Sequence, residues 1–127
     1  MIKYINVFTG NSLTEQEYNE MMIKDFTQEW NENLTSEADE LKEAGKTLQD
    51  YLNYRKQYSY NTDFKAIDSR ILELMERKKL TLEEFEEIES ADKENISVED
   101  NGMSSSYIGY HWYTINFYKL EYDVYVK

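Results

Sequence analysis

An α+β fold is predicted by two contrasting stretches of this sequence. Across the middle, hydroxyl-to-carboxylate capping pairs precede apolar residues at helical spacing. In the last quarter the pattern changes to alternating, aromatic-rich residues of strand-forming type. The expected architecture is a helical middle of three to four helices packed on an antiparallel sheet made of the C-terminal strands, which the N-terminal strand is placed to join.

The elements follow in order. Ile2, Tyr4, Ile5, Val7 and Phe8 form a short run of strand formers ended by Thr9-Gly10-Asn11, predicting a first strand. Thr14 with Glu17 has the capping-box form, and Tyr18, Met22, Phe26 and Trp30 then recur every four residues with Ile23 beside them. Ser36 with Asp39 offers a second helix start, and Ala38, Leu41, Gly45, Leu48, Leu52 and Arg55 continue at helical spacing towards Tyr58. Phe64, Ile67, Ile71, Leu74 and Met75 predict a third helix, and Thr81 with Glu84 predicts a short fourth one carrying Phe85 and Ile88. Ile96 and Val98 then alternate with polar residues, and Asp100-Asn101-Gly102 carries a hairpin-turn signal. A strand-rich run extends from Ser105 to Val126, with its turn expected within Tyr118 to Glu121. Eight of the last 27 residues are aromatic, a composition suited to a pleated, half-buried surface.

At 127 residues the chain reads as a single domain, 1–127, without internal repeat or flexible linker. Its 40% hydrophobic and 15% aromatic content is too rich for a disordered acidic tail, so the acid must be displayed on a folded body. The absence of cysteine rules out a disulfide framework, a thiol nucleophile and a thiolate metal site, and with no signal peptide or membrane span at the start it points to the cytoplasm.

The negative charge is unevenly placed. Glu15 to Glu43 carries a net −8 and Glu83 to Asp100 another −8, whereas Lys46 to Leu82 is net +3 and Asn101 to Lys127 is neutral. Such a field attracts basic partners and repels nucleic acid, so direct DNA binding is not expected. Duplex DNA presents one phosphate per about 3.4 Å along each strand. Helical carboxylates four residues apart rise by about 6 Å, so an acidic helix approaches that density on a fixed scaffold. Glu29, Glu32, Glu37 and Glu40 in the first block, and Glu83, Glu86, Glu87 and Asp92 in the second, are the candidate partner-binding residues. The bland reading of both blocks is a solvated face. Like charges so close cost a few tenths of a kcal/mol per pair, a cost that binding explains better than solubility does.

Catalytic signals are weak. His111 is the only histidine, has no orienting carboxylate beside it in sequence, and reads as a packing or surface residue. The acid runs lack the alternating ligands and central glycine of a calcium loop, and four glycines supply neither a phosphate loop nor a dinucleotide fingerprint. No cofactor, metal or enzymatic activity is therefore expected, although carboxylates dispersed in sequence could gather into a metal-dependent site. Arg77-Lys78-Lys79, with Arg70 nearby, reads as a cationic helix end that offsets the dipole, with an RNA patch as its rival. The tyrosine-rich strands read as sheet packing, with self-association into a homodimer as the alternative.

The opening Tyr4-Ile5-Asn6-Val7-Phe8-Thr9-Gly10, followed by Leu13-Thr14-Glu15-Gln16-Glu17-Tyr18, resembles the start of small proteins carried by phages and mobile elements of Gram-positive bacteria, some of which are anti-CRISPR proteins. The resemblance covers about the first twenty residues and assigns no functional residue. It implies a non-enzymatic inhibitor of the type II effector nuclease Cas9, acting in the host bacterial cytoplasm. That enzyme holds guide and target in positively charged channels, so an acidic folded body would compete there, by occluding the DNA site or by binding before guide loading. The alternatives are an interaction or regulatory module of a mobile element that self-associates through its aromatic sheet, and a metal-dependent enzyme using dispersed carboxylates.

Overall fold

A computed structural model describes residues 1–32, 35–58 and 62–127. It is an α+β protein with, among the described residues, five helices and seven strands. The elements are β1 (Ile2–Asn6), β2 (Ser12–Thr14), α1 (Glu15–Glu32), α2 (Ser36–Glu43), α3 (Leu48–Tyr58), β3 (Phe64–Asp68), α4 (Ser69–Arg77), β4 (Lys79–Leu80), α5 (Leu82–Glu89), β5 (Ile96–Met103), β6 (His111–Phe117) and β7 (Leu120–Val126). They form two compact units: Met1–Ser12 with Asp63–Lys127, and Leu13–Thr62.

The strands form two sheets. β2-β1-β3 make a three-stranded one, and β4-β7-β6-β5 make a four-stranded one. The N-terminal strand thus belongs to its own small sheet and does not join the C-terminal strands. Its partner is β3, antiparallel, with Ile5 opposite Lys65 and Tyr4 opposite Ala66. This pairing overturns the helix expected from Phe64 and Ile67, because ladder bonds to a strand sixty residues earlier in the chain win over a three-residue spacing that also fits a strand-to-helix junction. The helix begins only after Asp68, whose carboxylate accepts from the Arg70 N–H at 2.8 Å.

In the four-stranded sheet, β5–β6 and β6–β7 are antiparallel, and β4 pairs parallel with β7. Asp100-Asn101-Gly102 does not form the hairpin turn. It is a bulge inside β5, where the register shifts between Asp100 and Met103, and Gly102 takes φ +80°. Glycine in left-handed backbone serves both the G1 kind of bulge and the two-residue hairpin turn, so the glycine signal fits either. The β6–β7 turn falls at Tyr118-Lys119, within the expected segment, with Tyr118 itself at φ +54°. The Tyr118 hydroxyl donates to Asn95 Oδ1 at 2.7 Å, which helps hold a turn that no glycine relieves.

α4 and α5 pack on this sheet. Leu72, Leu74 and Met75 from α4 and Phe85 and Ile88 from α5 are buried against Ile115, Phe117, Val124 and Val126, with Ile5 and Ile67 in the same core. Phe85 stacks on Tyr113 at a centroid distance of 4.2 Å.

The second unit is three helices around Phe26, Ala38 and Tyr51, with Met22, Trp30, Leu41, Leu48 and Leu52 packed against them. The expected Thr14–Glu17 capping box is present: Thr14 Oγ1 accepts from the Glu17 N–H at 3.1 Å, and the Thr14 N–H donates to Glu17 at 3.4 Å. Helical spacing across Ser36 to Tyr58 does not give one helix. Gly45 adopts φ +76° and ends the first segment, and Thr47 starts the next, its N–H donating to Asp50 Oδ2 at 2.9 Å. Thr35, one residue before the expected start, caps α2 by accepting from the Ala38 N–H at 3.1 Å.

Candidate functional site

The acidic residues singled out from the sequence divide between the two units. Glu29, Glu32, Glu37 and Glu40 lie on α1 and α2 of the second unit; Glu83, Glu86 and Glu87 lie on α5 of the first, with Asp92 in the turn after it.

On α5, Phe85 and Ile88 turn into the core, and at about 100° per residue Glu83, Glu86 and Glu87 must then share the opposite, exposed side. The helix is anchored by a full capping box, in which Thr81 Oγ1 accepts from the Glu84 N–H at 3.2 Å and the Thr81 N–H donates to Glu84 Oε1 at 3.0 Å. Glu84 also pairs with Arg77. The Thr81 backbone N–H, followed by the neighbouring Arg77 charge, holds the Glu84 carboxyl below its ordinary value. Glu83, Glu86 and Glu87 are thereby presented by a helix whose first turn is fixed. Glu87 has a cation at hand, Arg70 at 3.3 Å. Asp92 is occupied by its own turn: Oδ1 accepts from the Glu94 N–H at 3.2 Å, the Asn95 amide donates to Oδ2, and its carbonyl accepts from the Ile96 N–H at 2.9 Å.

In the second unit the four acids separate by role. Glu29 accepts from the Tyr51 hydroxyl at 2.6 Å, and Arg55 lies 3.8 Å from Glu29 and 3.8 Å from Glu37. The Arg55 guanidinium sits over the Phe26 ring at 4.7 Å, while its Nε is buried with no hydrogen-bond partner. Burial, reinforced by the hydrogen bond to Glu29, raises the Tyr51 phenol above its ordinary value. Glu29 and Glu37 therefore close the helices on one another. Glu32 and Glu40 are exposed; Glu40 lies two residues beyond buried Ala38, on the outer side of α2, and Glu32 accepts from Gln28 of its own helix at 3.3 Å. Glu32, Glu40, Glu83 and Glu86 thus stand at the surface with no ion pair among the described residues.

Sequence reading missed two other clusters. His111 does have a carboxylate: the β5–β6 pairing brings Asp100 to its Nε2, and the imidazole stacks on Tyr113 at 4.4 Å. The His111 contact and the Gly102 N–H hold Asp100 below its ordinary value. Eleven residues separate the pair, and only the strand register reveals it. The second cluster joins Lys79, Lys127, Tyr107, Tyr110 and Tyr125 around the β5–β6 connection. In the basic triplet, Arg77 bonds Glu73 and Glu84, Lys78 ends α4 at φ +75°, and Lys79 enters β4. Among the described residues no group of three or more His, Asp or Glu is arranged to hold a metal ion, and no helix is long and apolar enough to cross a membrane.

No family model, curated protein or solved structure matches this chain. The reading of its site rests on its own chemistry.

Proposed function

We propose that this protein is a non-enzymatic inhibitor that binds a basic nucleic-acid-handling protein through its exposed acidic helical faces, with Cas9 as the target and guide or DNA binding as the step blocked. What carries this reading is the outward face of α5. There Glu83, Glu86 and Glu87 are held on a capped helix, and Glu83 and Glu86 form no ion pair among the described residues. Glu32 and Glu40 form the corresponding exposed acids of the second unit. A net charge of −12 adds long-range attraction towards a surface evolved to hold phosphates. Glu29, Glu37 and Asp92 act as scaffold for these faces, because each is committed to an intrachain partner.

Binding carried by these carboxylates should weaken steeply with ionic strength. The test is titration of the protein against guide-free and guide-loaded Cas9 at low and high salt, with Glu83→Lys/Glu86→Lys and Glu32→Lys/Glu40→Lys as paired variants. Loss of affinity in at least one pair, together with a shallower salt slope, is the expected result. Unchanged affinity in both pairs would remove the acidic faces as the interface.

A further inference from the structure

The connection from β5 to β6, Ser104 to Tyr110, is braced throughout. Ser104 Oγ accepts from the Ser106 and Tyr107 N–H groups at 3.1 and 3.0 Å, the Ser104 N–H donates to the Tyr110 carbonyl at 2.9 Å, and the Tyr110 N–H donates to the Tyr107 carbonyl at 3.1 Å. The Tyr107 ring stands edge-on to Tyr125 at 4.6 Å and to Tyr110 at 6.2 Å. Yet the residue carried at the tip, Ile108, is 93% exposed, and Met103 at the base of the loop is 64% exposed. Two cations sit on the aromatic residues either side of this apolar tip: Lys79 lies 4.4 Å from the Tyr107 ring and 5.7 Å from that of Tyr110, and Lys127 lies 5.4 Å from Tyr110. In a chain of net charge −12, a hydrogen-bonded loop with an aliphatic tip and two lysines at its base is complementary to an apolar socket with an acidic rim.

The same unit carries such a socket. A cleft of about 220 Å³ is lined by Ile2, Ala66, Ile67, Ile71, Ile96 and Phe117, with Asp68 and Asp92 as its charged members. Asp68 lies 3.9 Å from the amino group of Met1, and Asp92 has no ion pair among the described residues, so the rim stays acidic on balance. The space far exceeds that of a single water and admits a branched aliphatic side chain.

We infer that the Ser104–Tyr110 loop of one copy docks in this cleft on a second copy, with Ile108 entering the apolar cleft and Lys79 and Lys127 facing Asp68 and Asp92. Knob and socket are both present on every chain. Two copies can therefore exchange two equivalent contacts and close a dimer, or a single contact can repeat head to tail. Because the loop is already ordered by its own hydrogen bonds, docking costs little conformational entropy. This inference is independent of the inhibitor reading, since it concerns the chain alone.

Sedimentation equilibrium of the full chain over a wide concentration range tests it. The average mass should rise above 15.3 kDa with concentration. Ile108→Asp and Ala66→Arg, both at exposed positions, should each weaken association by at least about tenfold with unchanged far-UV circular dichroism. An equimolar mixture of the two variants should recover part of the association, because the intact knob of one meets the intact cleft of the other. A monomer at every concentration, association indifferent to both substitutions, or a mixture that remains monomeric would overturn the proposal.

Discussion

The two units are held together by different means. The first buries a continuous aliphatic core of Ile5, Leu74, Met75, Ile115 and Val124 between helices and sheets, all at 1% exposure or less. The second closes three short helices around Tyr51, whose hydroxyl is tied to Glu29, while Arg55 bridges Glu29 and Glu37 and covers Phe26. Where little apolar area is available, hydrogen-bonded and charged groups carry a larger share of the packing, and acids in such a unit become structural. In the first unit the aliphatic core carries the packing; of the α5 acids Glu84 is drawn into the cap and Glu87 pairs with Arg70, while Glu83 and Glu86 remain on the surface. Identical residue types in two equally acidic stretches therefore do different work.

The largest effect should come from the aliphatic core. Leu74→Ala is expected to cost about 2–5 kcal/mol in chemical denaturation, with faster hydrogen exchange throughout β5, β6 and β7. In the second unit, Tyr51→Phe keeps the ring and deletes the hydroxyl, with its bond to Glu29 and its 3.4 Å contact to Thr35. It should still cost about 1–3 kcal/mol because the half-buried Glu29 carboxylate loses its hydroxyl donor, and exchange should accelerate in α1, α2 and α3. A negligible cost would show that the aromatic rings alone close that unit, and the contrast drawn here would fail.

Next comes the α5 cap. Thr81→Ala should cost about 1 kcal/mol, read as a lower denaturation midpoint. Its pH dependence has a definite sign. Glu84 is held below its ordinary value, so its contribution is complete above the unfolded-state value of 4.5 and is lost as pH falls through the lower folded-state value. Glu84→Gln, which removes the titrating group and leaves the Thr81 hydroxyl in place, should therefore differ from wild type most near neutrality and converge with it in acid. A constant difference down to strongly acidic pH would contradict the reciprocal cap. The smallest effect on stability, within about 0.5 kcal/mol, belongs to Glu83→Lys/Glu86→Lys, the pair with the largest expected effect on partner binding. A large loss of stability there would move these carboxylates from the surface role into the scaffold.

Local signals in the sequence carried far. Both capping boxes and the four-residue stripe of α1 were legible because they depend on residues a turn apart, and the Tyr118-Lys119 turn fell inside its expected segment. Long-range pairing was not legible. The spacing of Phe64 and Ile67 served a strand paired with β1, and Gly102 served a bulge in place of a turn. The candidate acids were legible as blocks of charge, but their sorting was not. Nothing near Glu29 in sequence announces Tyr51 or Arg55, more than twenty residues away, which separate it from Glu32 on the same helix. Likewise the Asp100–His111 contact depends on the register of two strands.

The central claim, inhibition through exposed acidic helical faces, is tested most directly by DNA cleavage with Cas9 when this protein is added before or after the guide RNA. The account predicts intact target in at least one order of addition, with protection reduced by Glu83→Lys/Glu86→Lys or by Glu32→Lys/Glu40→Lys. Undiminished cleavage in both orders across several Cas9 orthologues would contradict it.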